Sequence, residues 1–247
     1  MNEIDRSESL NRQNPVQHSL DTSRIAELRG RVQHAIDKGP LPSIQIALAH
    51  NGELALFETF GAADSNTRYN IYSCTKPLVA SAIWKLMSEG LIALDRTVAH
   101  YIPEFGMHGK QDVTVEQVLC HTAGFPQAEL AAPQWWTRED RLKAMREWRL
   151  DWEPGSRMEY HSLSAHWVLV ELIERLTDNE FRQYIRTNII DPLGIKGLRL
   201  GVPPDEQGDI AEAVLVGKPP QSDELKDLLG LSINWPNSAD QSLLMFN

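Results

Sequence analysis

Tyr72-Ser73-Cys74-Thr75-Lys76-Pro77, followed by an apolar run over residues 78–87, constrains this chain more than any other segment. The run predicts a buried helix, and a hydroxyl and an amine three residues apart at its start can face one cleft. A helix start also offers free backbone N–H groups and the positive end of a dipole. Pro77 lacks an N–H and biases Lys76 away from regular α geometry, so Ser73 to Lys76 are expected to form a tight lead-in turn. Strained turns of this kind suit reactive sites. A serine hydroxyl is a poor nucleophile at neutral pH unless a neighbour takes its proton, and a lysine can do so only when burial or nearby positive charge lowers its pKa. Ser73 and Lys76 therefore read as a nucleophile and its base. About one Ser-x-x-Lys is expected by chance in a chain of this length, and an exposed cap with a solvated lysine is the competing reading.

A second stretch supplies context. Glu153-Pro154-Gly155-Ser156-Arg157-Met158-Glu159-Tyr160-His161-Ser162 precedes an apolar run over residues 167–176. Pro-Gly marks a turn and the run predicts a mostly buried helix, which places Tyr160 and Ser162 just before a helix start. A phenol there can shuttle a proton, and a hydroxyl two residues on can hold a substrate carbonyl or the lysine. The alternative is a core tyrosine with Ser162 or Ser164 as a helix cap.

Together the two stretches resemble the penicillin-recognising serine hydrolases: class C β-lactamases, DD-peptidases and the β-lactamase-like carboxylesterases of family VIII. Those proteins carry Ser-x-x-Lys at the head of a buried helix and Tyr-x-Asn or Tyr-x-Ser after a Pro-Gly turn. Gly90-Leu91-Ile92-Ala93-Leu94-Asp95, Tyr101-Ile102-Pro103-Glu104-Phe105, Val118-Leu119-Cys120-His121-Thr122-Ala123-Gly124-Phe125-Pro126 and Asp191-Pro192-Leu193-Gly194-Ile195 are similar to family segments in matching order, so the resemblance covers residues 41–216. It implies an α/β (α+β) β-lactamase-like fold, an antiparallel sheet beside a large helical region. In it Ser73 would attack an ester or amide carbonyl, Lys76 accept its proton, Tyr160 relay a proton to the leaving group, and Ser162 fix Lys76 or the substrate. The Ser73 N–H would form half of an oxyanion hole. His161 is expected to line the cleft or stand behind Tyr160, and Trp135, Trp136 and Trp152 to line an acyl pocket, simple packing being the alternative for the tryptophans. Ser162 stands where class C β-lactamases usually carry Asn, which favours the carboxylesterase branch. A β-lactamase, a D-amino-acid peptidase and an inactive fragment or binding protein remain alternatives.

The family's third motif, Lys-Thr-Gly or His-x-Gly on a C-terminal strand, has no counterpart after the Tyr160 stretch. The chain is therefore expected to be truncated, with the C-terminal strands of the sheet missing and either a second copy or a complementing C-terminal fragment as partner. Four segments are expected: a flexible arm over residues 1–20, a helix and β-hairpin over 21–72, a helical region over 73–200 carrying both motifs, and an irregular segment over 201–247. Within them the pattern predicts a helix over 22–38, strands over 44–49 and 54–60 around an Asn51-Gly52 turn, largely helical chain over 73–188 broken at 131–136, and short strands at 198–200 and 213–216.

Composition narrows the partners. A net charge of −10 argues against nucleic acid and anionic membranes. A polar opening and no long apolar run lead to an expectation of a cytoplasmic protein. Two cysteines build no disulfide framework, and the eight histidines show no zinc spacing, so neither a metal nor another cofactor is expected, only a small-molecule ester or amide substrate. His121 reads as a helix C-terminal residue, and His161 and His166, five apart, share no helix face.

Overall fold

Asp21 begins the first element: its carboxylate accepts the backbone N–H groups of Ser23 at 2.8 Å and Arg24 at 3.3 Å, capping helix α1, Thr22–Lys38. The chain then forms β1, Ser43–His50, and β2, Glu53–Gly61, paired antiparallel from Ser43 opposite Gly61 to His50 opposite Glu53. Asn51 and Gly52 join them with φ of 52° and 80°, the two positive values that a two-residue hairpin turn of matching twist demands. Arg29 of α1 grips the Glu58 carboxylate of β2, its Nε 2.8 and 3.0 Å from the two oxygens. The computed structural model describes residues 20–128, 130 and 137–213. These divide into two compact units, the described parts of which are residues 20–69 with 209–213, and residues 70–208. In the first, the Ala211 N–H donates to the Arg68 carbonyl at 2.7 Å, and among the described residues no third strand joins the hairpin.

The second unit is helical and carries both motifs. Its elements are α2 (Lys76–Ser88), α3 (Val98–Tyr101), α4 (Val115–Leu119), α5 (Arg138–Glu147), α6 (Ser164–Thr177) and α7 (Phe181–Ile185). The expected long helical stretch is thus divided. Pro103 cannot continue α3, and Thr114 starts α4 anew through a capping box in which Thr114 Oγ1 accepts the Gln117 N–H and Gln117 Oε1 accepts the Thr114 N–H. Residues 198–200, expected as a strand, are irregular: Gly201 turns the chain at φ 72°, and no described strand lies alongside to pair with them. Most of 213–216 lies outside the described residues.

The core of this unit sits between α2 and α6. Ala82, Ile83 and Leu86 are fully buried on one side, Val168, Leu169, Leu172 and Ile173 on the other, with Phe105 and Phe125 in contact beside them at 5.6 Å between ring centroids. At about 25 cal/mol per Å² of apolar surface removed from water, such a cluster dominates the stability of the unit. Among the described residues no helix is long and apolar enough to cross a membrane.

Helix α6 also buries two carboxylates. Arg138 Nη2 reaches Glu171 at 2.7 Å, Arg175 Nε reaches it at 3.1 Å, and Arg141 holds Glu174 with both side chains less than a tenth exposed. A buried ion pair adds little over an apolar pair, but removing one partner strands a desolvated charge. Glu174→Ala is therefore expected to destabilise the protein by about 3–5 kcal/mol, measured as the loss in unfolding free energy in urea.

Candidate active site

The site begins at the entrance to α2. Asn70 Oδ1 accepts the Tyr72 N–H at 3.1 Å, Tyr72 takes a left-handed φ of 46°, and Tyr72–Thr75 form one 3-10 turn leading into the helix. The lead-in turn is present, but its strain falls on Tyr72. Lys76 has regular helical angles, φ −55° and ψ −41°, because its N–H is held by the Ser73 carbonyl and Pro77 lies in the first turn, where a missing N–H breaks no bond.

This turn points Ser73 and Lys76 together. Lys76 Nζ donates to Ser73 Oγ at 3.2 Å and the Tyr160 hydroxyl donates to the same oxygen at 2.8 Å. Lys76 Nζ lies 5.0 Å from the centre of the Tyr160 ring. Ser73 is exposed, and Lys76 and Tyr160 are half-buried. One oxygen thus receives an amine from three residues on and a phenol from 87 residues on in sequence.

The other expected site residues divide. Ser162 is half-buried and makes no hydrogen bond to Lys76 among the described residues, so the lysine is not fixed from there. His161 requires a correction. It is fully buried, its Nε2 accepts the Phe125 N–H at 3.1 Å, and its Nδ1 meets the Glu159 carbonyl at 2.6 Å. Both ring nitrogens are spent on backbone, so His161 braces the loop and cannot line the cleft. Trp152 packs edge-on against His161 at 6.0 Å, with the Arg157 guanidinium 3.9 Å from the indole centre on its other contact. Trp135 and Trp136 lie outside the described residues.

Two histidines that the sequence does not place at the site are part of it. His121 has a left-handed φ of 59°, and its ring meets Tyr160 at 5.0 Å and His166 at 6.1 Å. Burial, with His161 and Lys76 nearby, pushes its pKa down to about 4. His166 lies against the Lys76 backbone with no well-formed hydrogen bond at either nitrogen, and burial, then Lys76 and His121, pushes it down to about 3. Burial lowers His161 as well. All three are neutral at pH 7. Among the described residues no cluster of His, Cys, Asp and Glu could hold a metal ion.

A hydroxyl at the head of a buried helix, paired with an amine one turn on and a phenol from a distant loop, is an arrangement of the kind that lysine-assisted serine nucleophiles use. The chain matches the Beta-lactamase family over residues 28–229 and belongs to it. It is 28% identical over 215 residues to a Salmonella agona protein named as a D-alanyl-D-alanine carboxypeptidase, covering 74% of this chain and 48% of that one. It is 33% identical over 150 residues to the esterase/beta-lactamase LipL of Mycobacterium tuberculosis, covering 59% and 34%. The crystal structure of a family VIII carboxylesterase superposes with a TM-score of 0.67 at 28% identity, over 76% of this chain and 55% of that one. The chain thus spans about half or less of the length of these curated relatives. The likeness includes the β-lactamase-like mixed α/β fold that the motifs imply.

The neutral histidines fix a pH dependence. Their native pKa values lie below the ordinary value near 6.5, so the unfolded chain binds more protons as pH falls from about 6.5 toward 4 and 3, and stability is lost across that window. The unfolding midpoint is expected to fall steadily between pH 7 and pH 4.5 in thermal scans, and His166→Leu to flatten that slope.

Proposed function

We propose that this protein hydrolyses small carboxylic esters through an acyl-enzyme on Ser73. The observation that carries the reading is the placement of Ser73 Oγ between Lys76 Nζ and the Tyr160 hydroxyl. Ser73 Oγ bonds to the ester carbonyl carbon while its proton passes to the Lys76 amine nitrogen, and the carbonyl π electrons move to oxygen. Collapse of that intermediate breaks the bond to the alkoxide, which takes a proton relayed from Lys76 through Tyr160. Water then attacks the acyl carbon, losing its proton along the same route, and Ser73 leaves with its hydrogen restored. The Ser73 N–H, at the head of the helix, is suited to hold the carbonyl oxygen, with a second donor needed to complete the oxyanion hole; loss of one such donor costs ~10²–10³ in rate.

The carboxylesterase branch is favoured over β-lactamase and D-amino-acid peptidase chemistry by Ser162, where class C β-lactamases usually carry Asn. We also propose that the edge of the β1–β2 hairpin pairs with a second copy of the chain or a complementing C-terminal fragment, since two strands alone are marginal, and that the protein works in the cytoplasm without nucleic acid or membrane partners. A single chain by light scattering on a size-exclusion column, unfolding in one cooperative step, would remove the pairing proposal.

The test of the reaction uses p-nitrophenyl acetate and butyrate, with intact-mass detection of an adduct after a fluorophosphonate probe. The expected result is one adduct, lost in Ser73→Ala, and slow ester turnover that the same substitution abolishes. Turnover unchanged in Ser73→Ala would place the chemistry elsewhere. Faster turnover of nitrocefin or of a D-alanyl-D-alanine peptide would move the protein to the other branches, and no adduct with no turnover would leave a binding protein.

A further inference from the structure

His121 does not touch the reacting atoms, yet the residue is held at three points. Its left-handed backbone, φ 59°, lets its carbonyl accept the Glu159 N–H at 3.1 Å while its Nδ1 accepts the His161 N–H at 3.1 Å. With Nδ1 an acceptor, the hydrogen of the neutral ring sits on Nε2. The ring packs tilted against that of Tyr160, centroids 5.0 Å apart and planes at 48°.

Tyr160 needs such a support. It lies in irregular chain before α6, two residues beyond the exposed Met158, and among the described residues its hydroxyl has one hydrogen bond, to Ser73. A phenol on an irregular segment has two side-chain torsions, and packing against the ring restricts them where the single hydroxyl bond and the Lys76 amine over the ring leave freedom. We infer that His121 is a positioning residue, an aromatic seat that holds the Tyr160 phenol where its hydroxyl meets Ser73 Oγ; this rests on the reading of Ser73 as the nucleophile. An imidazole serves because it joins two jobs. Its nitrogen fastens the seat to the loop that carries Tyr160, and its ring supplies the contact without charge. The titratable and charged groups around it are Lys76 of α2, Tyr160 and His161 of that loop, and His166 of α6. Protonating Nδ1 would cost the His161 bond and set a cation facing Lys76.

His121→Asn separates the two jobs. Its amide oxygen can still accept the His161 N–H and asparagine tolerates a left-handed backbone, so the loop stays fastened while the ring is lost. The expected result with p-nitrophenyl butyrate is a kcat lower by ~10- to 100-fold, the scale of a displaced reacting group, with KM within about twofold. In a Tyr160→Phe background the same substitution is expected to change kcat by less than about twofold, because its effect passes through the phenol. Equal losses in both backgrounds, or a change in KM alone, would overturn the inference. A second readout does not depend on turnover: the ¹³C relaxation of the Tyr160 ring, assigned with Tyr160→Phe, is expected to show an ordered ring that becomes mobile in His121→Asn. A ring equally ordered in both would overturn it too. If the unaltered protein gives neither adduct nor turnover, the nucleophile reading fails, and the ring measurement still decides whether His121 seats Tyr160.

Discussion

The loop that carries the phenol is braced by one buried imidazole. His161 has no exposed surface, and it spends both ring nitrogens on backbone groups that have no partner in a helix or strand, the Phe125 N–H and the Glu159 carbonyl. An unmade buried hydrogen bond costs about 1–3 kcal/mol, so this brace fixes the chain around residue 125 against the chain around residue 160. Other bonds run along the same seam: Asp151 N–H to the Gly124 carbonyl at 2.7 Å, Gly155 N–H to the Thr122 carbonyl at 2.8 Å, and Ser164 Oγ to the Phe125 carbonyl at 3.0 Å. Gly124 allows the close approach, since its φ is 89° and a methyl group there would sit 2.5 Å from the Trp152 carbonyl oxygen. A seam of this density makes the loop before α6 as well defined as a regular element.

What the sequence makes legible follows from range. The Asn51-Gly52 turn and the apolar periods of α1, α2 and α6 are local signals; the first helix and both strands lie within a residue of the expected ends, and α2 and α6 start two and three residues before their apolar runs. The Ser73, Lys76 and Tyr160 side chains are brought together because a helix head fixes two of them and the Pro-Gly turn aims the third. The roles of His121 and His166 carry no such signal. Their contacts span about 40 residues of chain or more, and a histidine in a left-handed conformation looks like any other on paper. His161 misleads for the opposite reason: its neighbour Tyr160 is at the site, but consecutive residues in irregular chain point in different directions, and this one turns inward. Residues 198–200 have strand composition, but a strand is made by its partner, and none of the described residues supplies one.

All the reactive groups lie in the helical unit. Ser73, Lys76, Tyr160 and the three histidines fall within residues 70–208, and the contacts that place them are internal to it. The packing of α2 on α6 sets the distance between the two motifs: Ile83 and Leu86 meet Leu169 and Leu172 in the same buried cluster whose outer end presents Lys76 and the loop of Tyr160. A change in that core is therefore felt as a change in the distance from Ser73 Oγ to the phenol, since close-packed interiors transmit displacement with little compliance.

Charge around the amine completes the argument. A carboxylate beside an amine favours the ammonium form and would bar it from taking a proton. The chain carries 34 acidic residues against 24 Lys and Arg, yet among the described residues Lys76 has no carboxylate partner, and its hydrogen bond goes to Ser73. Its neighbours are two hydroxyls and two imidazoles that burial keeps neutral. Two carboxylates buried in the same unit, Glu171 and Glu174, are held by Arg138, Arg141 and Arg175. Aromatic nitrogen rings thus do at this site what aliphatic side chains would do less well: they fill the space behind Ser73 and Lys76, fasten backbone through ring nitrogens, as His121 and His161 do, and add no charge of their own beside the amine.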